Sequence, residues 1–267
     1  CARLDDLARL AACPLIGVAV LFVAKLVSDR LTPFDDDHCI EEEGNLAYGL
    51  RRIGMYLALA LAIAGCVKGM TRESFPDNLI WLAITSVIAT LLVGACMLIG
   101  RRSMFPWLSM REAVANENVA VGVVELGARL ATGAIAFSVF QGEGEISDGV
   151  VFMLLAQVAL VACFYVYELI TRYDMRAELK NGNVAAGVTV GGWLVSLGLI
   201  LSACVSGDST DWVTDLSLFG LWSVFGIILL VVITWLGDWL FLPRSTSEEQ
   251  VTKKRNVAAA GLLTGLN

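Results

Sequence analysis

Arg51, Arg52, Glu125 and Arg129 stand where charge is costly, inside apolar runs long enough to cross a bilayer. Ionisable side chains at mid-helix in a membrane cost roughly 2.5–3.5 kcal/mol each on insertion scales, so they pair with one another or serve an ion or substrate path. Arg129 follows Glu125 by four residues, one helical turn, and the two can pair on one face. Arg52 and Glu125 each lie seven residues after an asparagine, Asn45 or Asn118, that opens its span. At 1.5 Å per residue that depth is roughly 10 Å, and Arg129 lies about 16 Å in, near the midplane. Formal charges within the spans balance, with Lys25, Arg51, Arg52 and Arg129 against Glu125, Glu168, Asp215 and Asp238. Two readings fit: a buried structural network joining the second and fourth spans, or a hydrated pathway or small-ion site. Opposite charges at equivalent positions suit pairing better than a pore ring.

Other chemical signals are fainter. Asp35-Asp36-Asp37-His38-Cys39 with Glu41-Glu42-Glu43 would attract a divalent ion or a polyamine, but one His among flexible carboxylates lacks fixed coordination geometry. A solvated acidic loop is expected there, and no metal. Cys13, Cys66, Cys96, Cys163 and Cys204 sit in or at the ends of apolar runs without a CxxC pair, the pattern of packing residues. A disulfide between Cys66 and Cys204 is the alternative. No phosphate loop, HExxH or GxSxG motif is present, so no catalytic residue, enzyme activity or cofactor is expected.

What must position these charges follows from composition. Of 267 residues, 57% are hydrophobic and 17% charged, and mean hydropathy is +0.72. One soluble core cannot hide that much apolar surface, since soluble domains average about 45–50% apolar and about 25% charged. The excess must face lipid. The net charge of −7, with no basic aromatic-studded stretch, excludes a nucleic-acid binder. Apolar runs near 8–28, 45–66, 78–100, 118–140, 149–171, 183–205 and 213–240 read as transmembrane helices, and an interrupted eighth begins at Asn256. Neither end reads as a natural terminus; Cys1 as a lipid-modified residue is the alternative. One set of connections, with the end of the first span, carries eleven basic residues, from Arg30 to Arg255; the other set with the N-terminal segment carries four, Arg3, Arg9, Lys68 and Arg72. Positive charge is retained in the cytoplasm, which places the N-terminus outside.

The even spans repeat a motif, Asn-x-Ala-x-Gly/Ala-x4-Gly. It starts at Asn45, Asn118, Asn183 and Asn256 and ends at Gly54, Gly127, Gly192 and Gly265. The chain is therefore four copies of a two-helix unit in two pairs, in parallel orientation. Asn before an apolar run is a good helix N-cap. Asn and the Gly four residues on share one face, the Ala and the later Gly the opposite one, so each even helix can approach two neighbours closely. Bulk lies instead on the odd spans, at Trp81, Phe152, Trp222 and Trp235 among others. Even helices are expected to form a tightly packed inner layer and odd helices a lipid-facing outer one. The pairs Gly187/Gly191 and Gly261/Gly265 could join helices within a chain or between chains.

The run Pro14 to Val20, Leu31-Thr32-Pro33, the acidic connection and Asn45-Leu46-Ala47 resemble domain-of-unknown-function family 350, and Asn118-Val119-Ala120-Val121-Gly122 continues the likeness. The second half fits more loosely: the seventh span ends in Leu242-Pro243 without a Thr, and the fifth has no terminal Pro. The resemblance implies an integral bacterial inner-membrane protein of two tandem four-span modules, and brings no activity or catalytic residue. The expectation is an all-α polytopic bundle of about eight spans with pseudo-twofold halves, residues 1–142 and 143–267. Its expected role is a scaffold or interaction subunit of an envelope assembly, with an ion or small-solute channel or transporter using Arg51, Arg52, Glu125 and Arg129 as the alternative. The expected partners are the lipid bilayer, further copies of the chain or other membrane subunits, and no nucleic acid.

Overall fold

Helices α1 (Ala2–Leu31), α2 (Asp36–Glu41), α3 (Leu46–Lys68), α4 (Phe75–Met104), α5 (Met110–Ala115), α6 (Val119–Gln141), α7 (Ile146–Ile170), α8 (Met175–Lys180), α9 (Val184–Val205), α10 (Trp212–Phe241) and α11 (Val257–Leu266) account for most of the chain. A π-helical turn, Glu249–Lys253, precedes the last. There is no strand among the described residues. The computed structural model describes residues 2–31, 36–70, 75–142, 145–206, 211–241 and 246–266. Cys1, Thr32, Pro33, Asp35, Arg72, Leu242, Pro243, Arg244 and Asn267 therefore lie outside the described residues.

Seven of these helices are long and apolar enough to cross a membrane: Ala12–Arg30 within α1, Pro76–Met104 within α4, and α3, α6, α7, α9 and α10. The eighth expected span is present as α11, whose ten residues cover about 15 Å of a roughly 30 Å apolar layer.

Each repeat is built the same way, down to the backbone. A long odd helix leads to a short helical piece (α2, α5, α8 or the π turn) that stops on one residue with positive φ. That residue is Gly44 at 65°, Glu117 at 58°, Gly182 at 69° and Arg255 at 46°. The motif asparagine follows at once and caps the even helix. The Oδ1 of Asn45 accepts from Tyr48 N, that of Asn118 from Val121 N, that of Asn183 from Ala185 N and Ala186 N, and that of Asn256 from Ala259 N. Each cap satisfies donors that a helix start leaves orphaned.

The even helices pack side by side in a row, α3–α6–α9–α11. One geometric rule generates the row. The motif's first Gly meets the Ala of the helix before it: a Cβ on Gly122 would lie 2.8 Å from Ala47 Cα, and one on Gly187 would lie 2.6 Å from Ala120 O. Its last Gly meets the helix after it, at the eighth position beyond that helix's asparagine: Gly54 meets Leu126, Gly127 meets Gly191 and Gly192 meets Thr264. Any side chain at these places would force the backbones apart, which is why small residues sit on both faces. Gly187 and Gly191 thus serve contacts inside the chain, against Ala120 and Val123, whereas nothing lies within 4 Å of a Cβ on Gly261 or Gly265.

The same asparagines tie one repeat to the next. Asn45 Nδ2 donates to Val114 O at 3.0 Å, Asn118 Nδ2 to Leu179 O at 2.9 Å and Asn183 Nδ2 to Val251 O at 2.8 Å. In each case the acceptor lies four or five residues before the following motif asparagine. Asn256 turns instead to Gln250 Oε1 of its own repeat, at 3.0 Å.

The odd helices fill grooves in this row: α4 against α3 and α6, α7 against α6 and α9, α10 against α9 and α11. They also touch one another, α1 with α4 and α4 with α7, and so form a second layer on one face. The odd layer thus covers one side of the row rather than enclosing it. The row keeps an exposed ridge on its other side, where Leu57 is 44% and Leu199 58% exposed. Bulk is lipid-facing as expected on α10, whose Trp222, Trp235 and Trp239 are exposed. Trp193 departs from that pattern. It lies on an even helix, is fully buried and stacks on Tyr167 with ring centroids 4.4 Å apart.

Candidate functional site

The intramembrane charges fall into two groups rather than one network. In the first, Glu125 Oε2 receives Arg129 Nη2 at 2.8 Å and lies 3.2 Å from Arg51 Nε, while Arg129 Nη1 donates to Arg51 O at 2.9 Å. All three side chains are buried or nearly so, and one carboxylate oxygen serves two guanidiniums. In the second, both terminal nitrogens of Arg52 donate to Asp29 Oδ1, at 2.9 and 2.8 Å, and Asp37 Oδ1 stands 3.6 Å away. Lys25 completes this group, 2.7 Å from Asp37 Oδ2. That hydrogen bond holds the Asp37 carboxyl below the usual carboxylate range, helped by the nearby Lys25 and Arg52 charges.

The repeat explains the division. The seventh position after each asparagine faces the preceding even helix. Glu125 therefore looks back at α3 and finds Arg51. Arg52, in the first copy, has no even helix behind it among the described residues and turns to the end of α1 and to α2. In the third copy the positions equivalent to Glu125 and Arg129 are Val190 and Leu194, both fully buried. Glu168 belongs to neither group and binds Arg176 at the surface. Cys66 and Cys204 are free thiols. His38 pairs with Glu42 and Glu43 on the exposed acidic stretch, and no cluster of metal-ligating side chains forms among the described residues.

The first group opens onto a chamber of about 770 Å³ bounded by α1, α3, α4 and α6. Arg51, Arg52, Arg101, Glu125 and Arg129 line one end, and Thr132 and Gln157 lie on its wall toward α7. Thr132 Oγ1 donates to Ala128 O at 3.0 Å and to Gln157 Oε1 at 3.3 Å. The remaining lining is mostly aliphatic. Sequence reasoning missed Asp29, Arg101 and Gln157. Two of these had a readable signal: Asp29 lies one turn after Lys25, and Gln157 is an amide in the middle of an apolar span.

Fold and charge pattern together define a multi-pass helical membrane protein built from tandem two-helix repeats. The family described as Domain of Unknown Function (DUF350) matches the chain twice, at residues 3–140 and 143–267, and the chain belongs to that family. It is 26% identical over 155 residues to a UPF0719 transmembrane protein of Aquifex aeolicus (strain VF5), a match spanning 57% of this chain and 56% of that protein. It is 24% identical over 109 residues to the UPF0719 transmembrane protein YshE of Bacillus subtilis (strain 168), across 41% of this chain and 77% of that protein. No solved structure matches it.

Proposed function

We propose that this protein is a non-catalytic scaffold of the bacterial inner membrane whose helix row continues from one copy to the next, head to tail. The supporting observation is that the contacts between even helices are heterologous, so among the described residues the row presents two complementary edges. At one edge Gly49 has nothing within 4 Å of its Cβ position and Ile53, the eighth position of its copy, is half exposed. At the other, Ala258 is exposed and Gly265 is open. These are the four positions that meet wherever two even helices pack within the chain. Eleven basic residues against four favour an external N-terminus, with the asparagine-bearing connections in the cytoplasm.

Oxidative cross-linking of an Ile53→Cys, Gly265→Cys double variant in native membranes tests the reading. The expected result is a ladder of covalent oligomers, absent from either single variant. Monomers in membranes by single-molecule photobleaching, with no ladder, would overturn it. A second reading, a channel or carrier, draws on the chamber that reaches Arg129. It requires solute flux in proteoliposomes that Arg129→Ala abolishes; the scaffold reading expects no flux from either protein.

A further inference from the structure

None of the four edge positions, Gly49, Ile53, Ala258 and Gly265, lines the chamber beside Glu125, and its chemistry is two-ended. Four arginines and one carboxylate line it. Even with Arg52 assigned to Asp29 and Asp37, Arg51 and Arg129 share Glu125 as their one ion-pair partner among the described residues. Positive charge therefore exceeds negative at this end, in an environment that strengthens each charge–charge contact. Guanidiniums present several donors in a planar fork that matches carboxylate and phosphate oxygens.

The other end is aliphatic, with Ile16, Leu59 and Ala83 on the wall. From Ser28 to Ile16 the chamber follows α1 for about 18 Å at 1.5 Å per residue, close to one leaflet of a roughly 30 Å apolar layer. Its volume falls in the range of small-molecule pockets, about 300–1,000 Å³. Its side is open. Val23, Val87, Leu91 and Leu98 line it, yet are 57%, 54%, 70% and 52% exposed. The opening between α1 and α4 therefore gives onto lipid rather than onto water.

From this geometry we infer that the chamber binds one anionic amphiphile taken laterally from the bilayer. Its carboxylate or phosphate head rests on Arg51 and Arg129, and its hydrocarbon chain lies along α1 and α4 toward Ile16 and Ala83. A water-soluble anion would leave the aliphatic part of the chamber unfilled, and a zwitterionic lipid would bring a second cation to an end already rich in them. Glu125 is then the counter-charge against which the head group competes.

The test is native mass spectrometry of the full chain, delipidated in non-ionic detergent and titrated with palmitate, lysophosphatidic acid, lysophosphatidylcholine and inorganic phosphate. The two anionic amphiphiles are expected to bind once per chain and at least about tenfold more tightly than the zwitterionic one, with phosphate alone not retained. Glu125→Gln should raise affinity for the anionic probes, a gain that loss of a merely structural ion pair would not produce. Leu98→Trp, on the exposed wall, should cut the binding of both anionic amphiphiles about tenfold without disturbing the buried groups. Equal binding of anionic and zwitterionic probes, retention of phosphate alone, or unchanged binding by Leu98→Trp would each overturn the inference.

Discussion

Asn183 measures what one repeat contributes to the next. Its side chain is fully engaged: Oδ1 accepts from Ala185 N and Ala186 N, and Nδ2 donates to Val251 O at 2.8 Å and to Glu178 Oε2 at 2.6 Å. Asn183→Ala removes the cap, costing about 1 kcal/mol. It also leaves the Val251 carbonyl without its donor at a buried site, where an unsatisfied polar group costs about 1–3 kcal/mol. The two losses combine to about 2–4 kcal/mol. Asn256→Ala removes an equivalent cap, but the Nδ2 of Asn256 reaches only Gln250 of its own repeat, so the expected cost is about 1 kcal/mol. The difference between the variants isolates the inter-repeat bond. Asn183→Ser keeps a cap acceptor, drops the donor and should fall between wild type and Asn183→Ala. Equilibrium unfolding in mixed micelles, or steric trapping in bicelles, gives the required free energies. An Asn256→Ala loss as large as that of Asn183→Ala would refute the tie between repeats.

In the detergent-dispersed single chain, Gly187→Ala, whose Cβ would meet Ala120 O at 2.6 Å, should destabilise by about 1–3 kcal/mol, while Gly49→Ala, with open space around it within one copy, should be neutral or stabilising by up to about 1 kcal/mol; comparative thermal unfolding decides. Glu117→Gly should stabilise by about 1 kcal/mol, since a non-glycine residue there holds φ at 58°, whereas Gly182→Ala should destabilise by a similar amount, both read from the same melts. The lowered Asp37 carboxyl makes its tie to Lys25 and Arg52 present at neutral pH and lost as pH falls below about 4, through the depressed value. Amide hydrogen exchange in Asp36–Glu41 should accelerate across that acid range, and Asp37→Asn should remove the transition.

The periodic features of the fold were legible because they are local. An asparagine before an apolar run caps whatever helix follows, and glycines spaced to two faces demand two close neighbours. The pairing of Arg129 with Glu125 was equally local, one turn apart on one helix. What sequence could not supply was the register between helices. Arg51 and Arg52 are adjacent but about 100° apart around α3, so a rotation smaller than one residue decides which of them Glu125 meets. Arg51 faces α6, and Arg52 faces the end of α1. The one-sided placement of the odd helices was also hidden, because periodicity distinguishes a buried face from an exposed one without saying which neighbour covers it. Trp193 illustrates the limit. It lies on an even helix, where Tyr167 on α7 offers it a ring to stack on inside the protein.

The chamber follows from a break in the repeat. In the second half, Val190 and Leu194 occupy the places of Glu125 and Arg129, and being apolar they pack until no exposure remains. Two guanidiniums and one carboxylate cannot collapse in that way, since each must keep a polar neighbour and like charges hold their bearers apart. Gln157 and Thr132 add two further polar groups on the same wall, buried but bonded to each other. The same two-helix unit thus yields a solid wall in one half and a lined hollow in the other. Substituting Glu125→Val, Arg129→Leu and Arg51→Thr together, so that these positions copy Val190, Leu194 and Thr189 of the third repeat, should close the chamber while leaving the glycine contacts of the row intact. A triple variant that keeps the hollow open, measured by retention of a spin-labelled fatty acid, would mean that the splay of α1 from α4, and not the charges, creates the space.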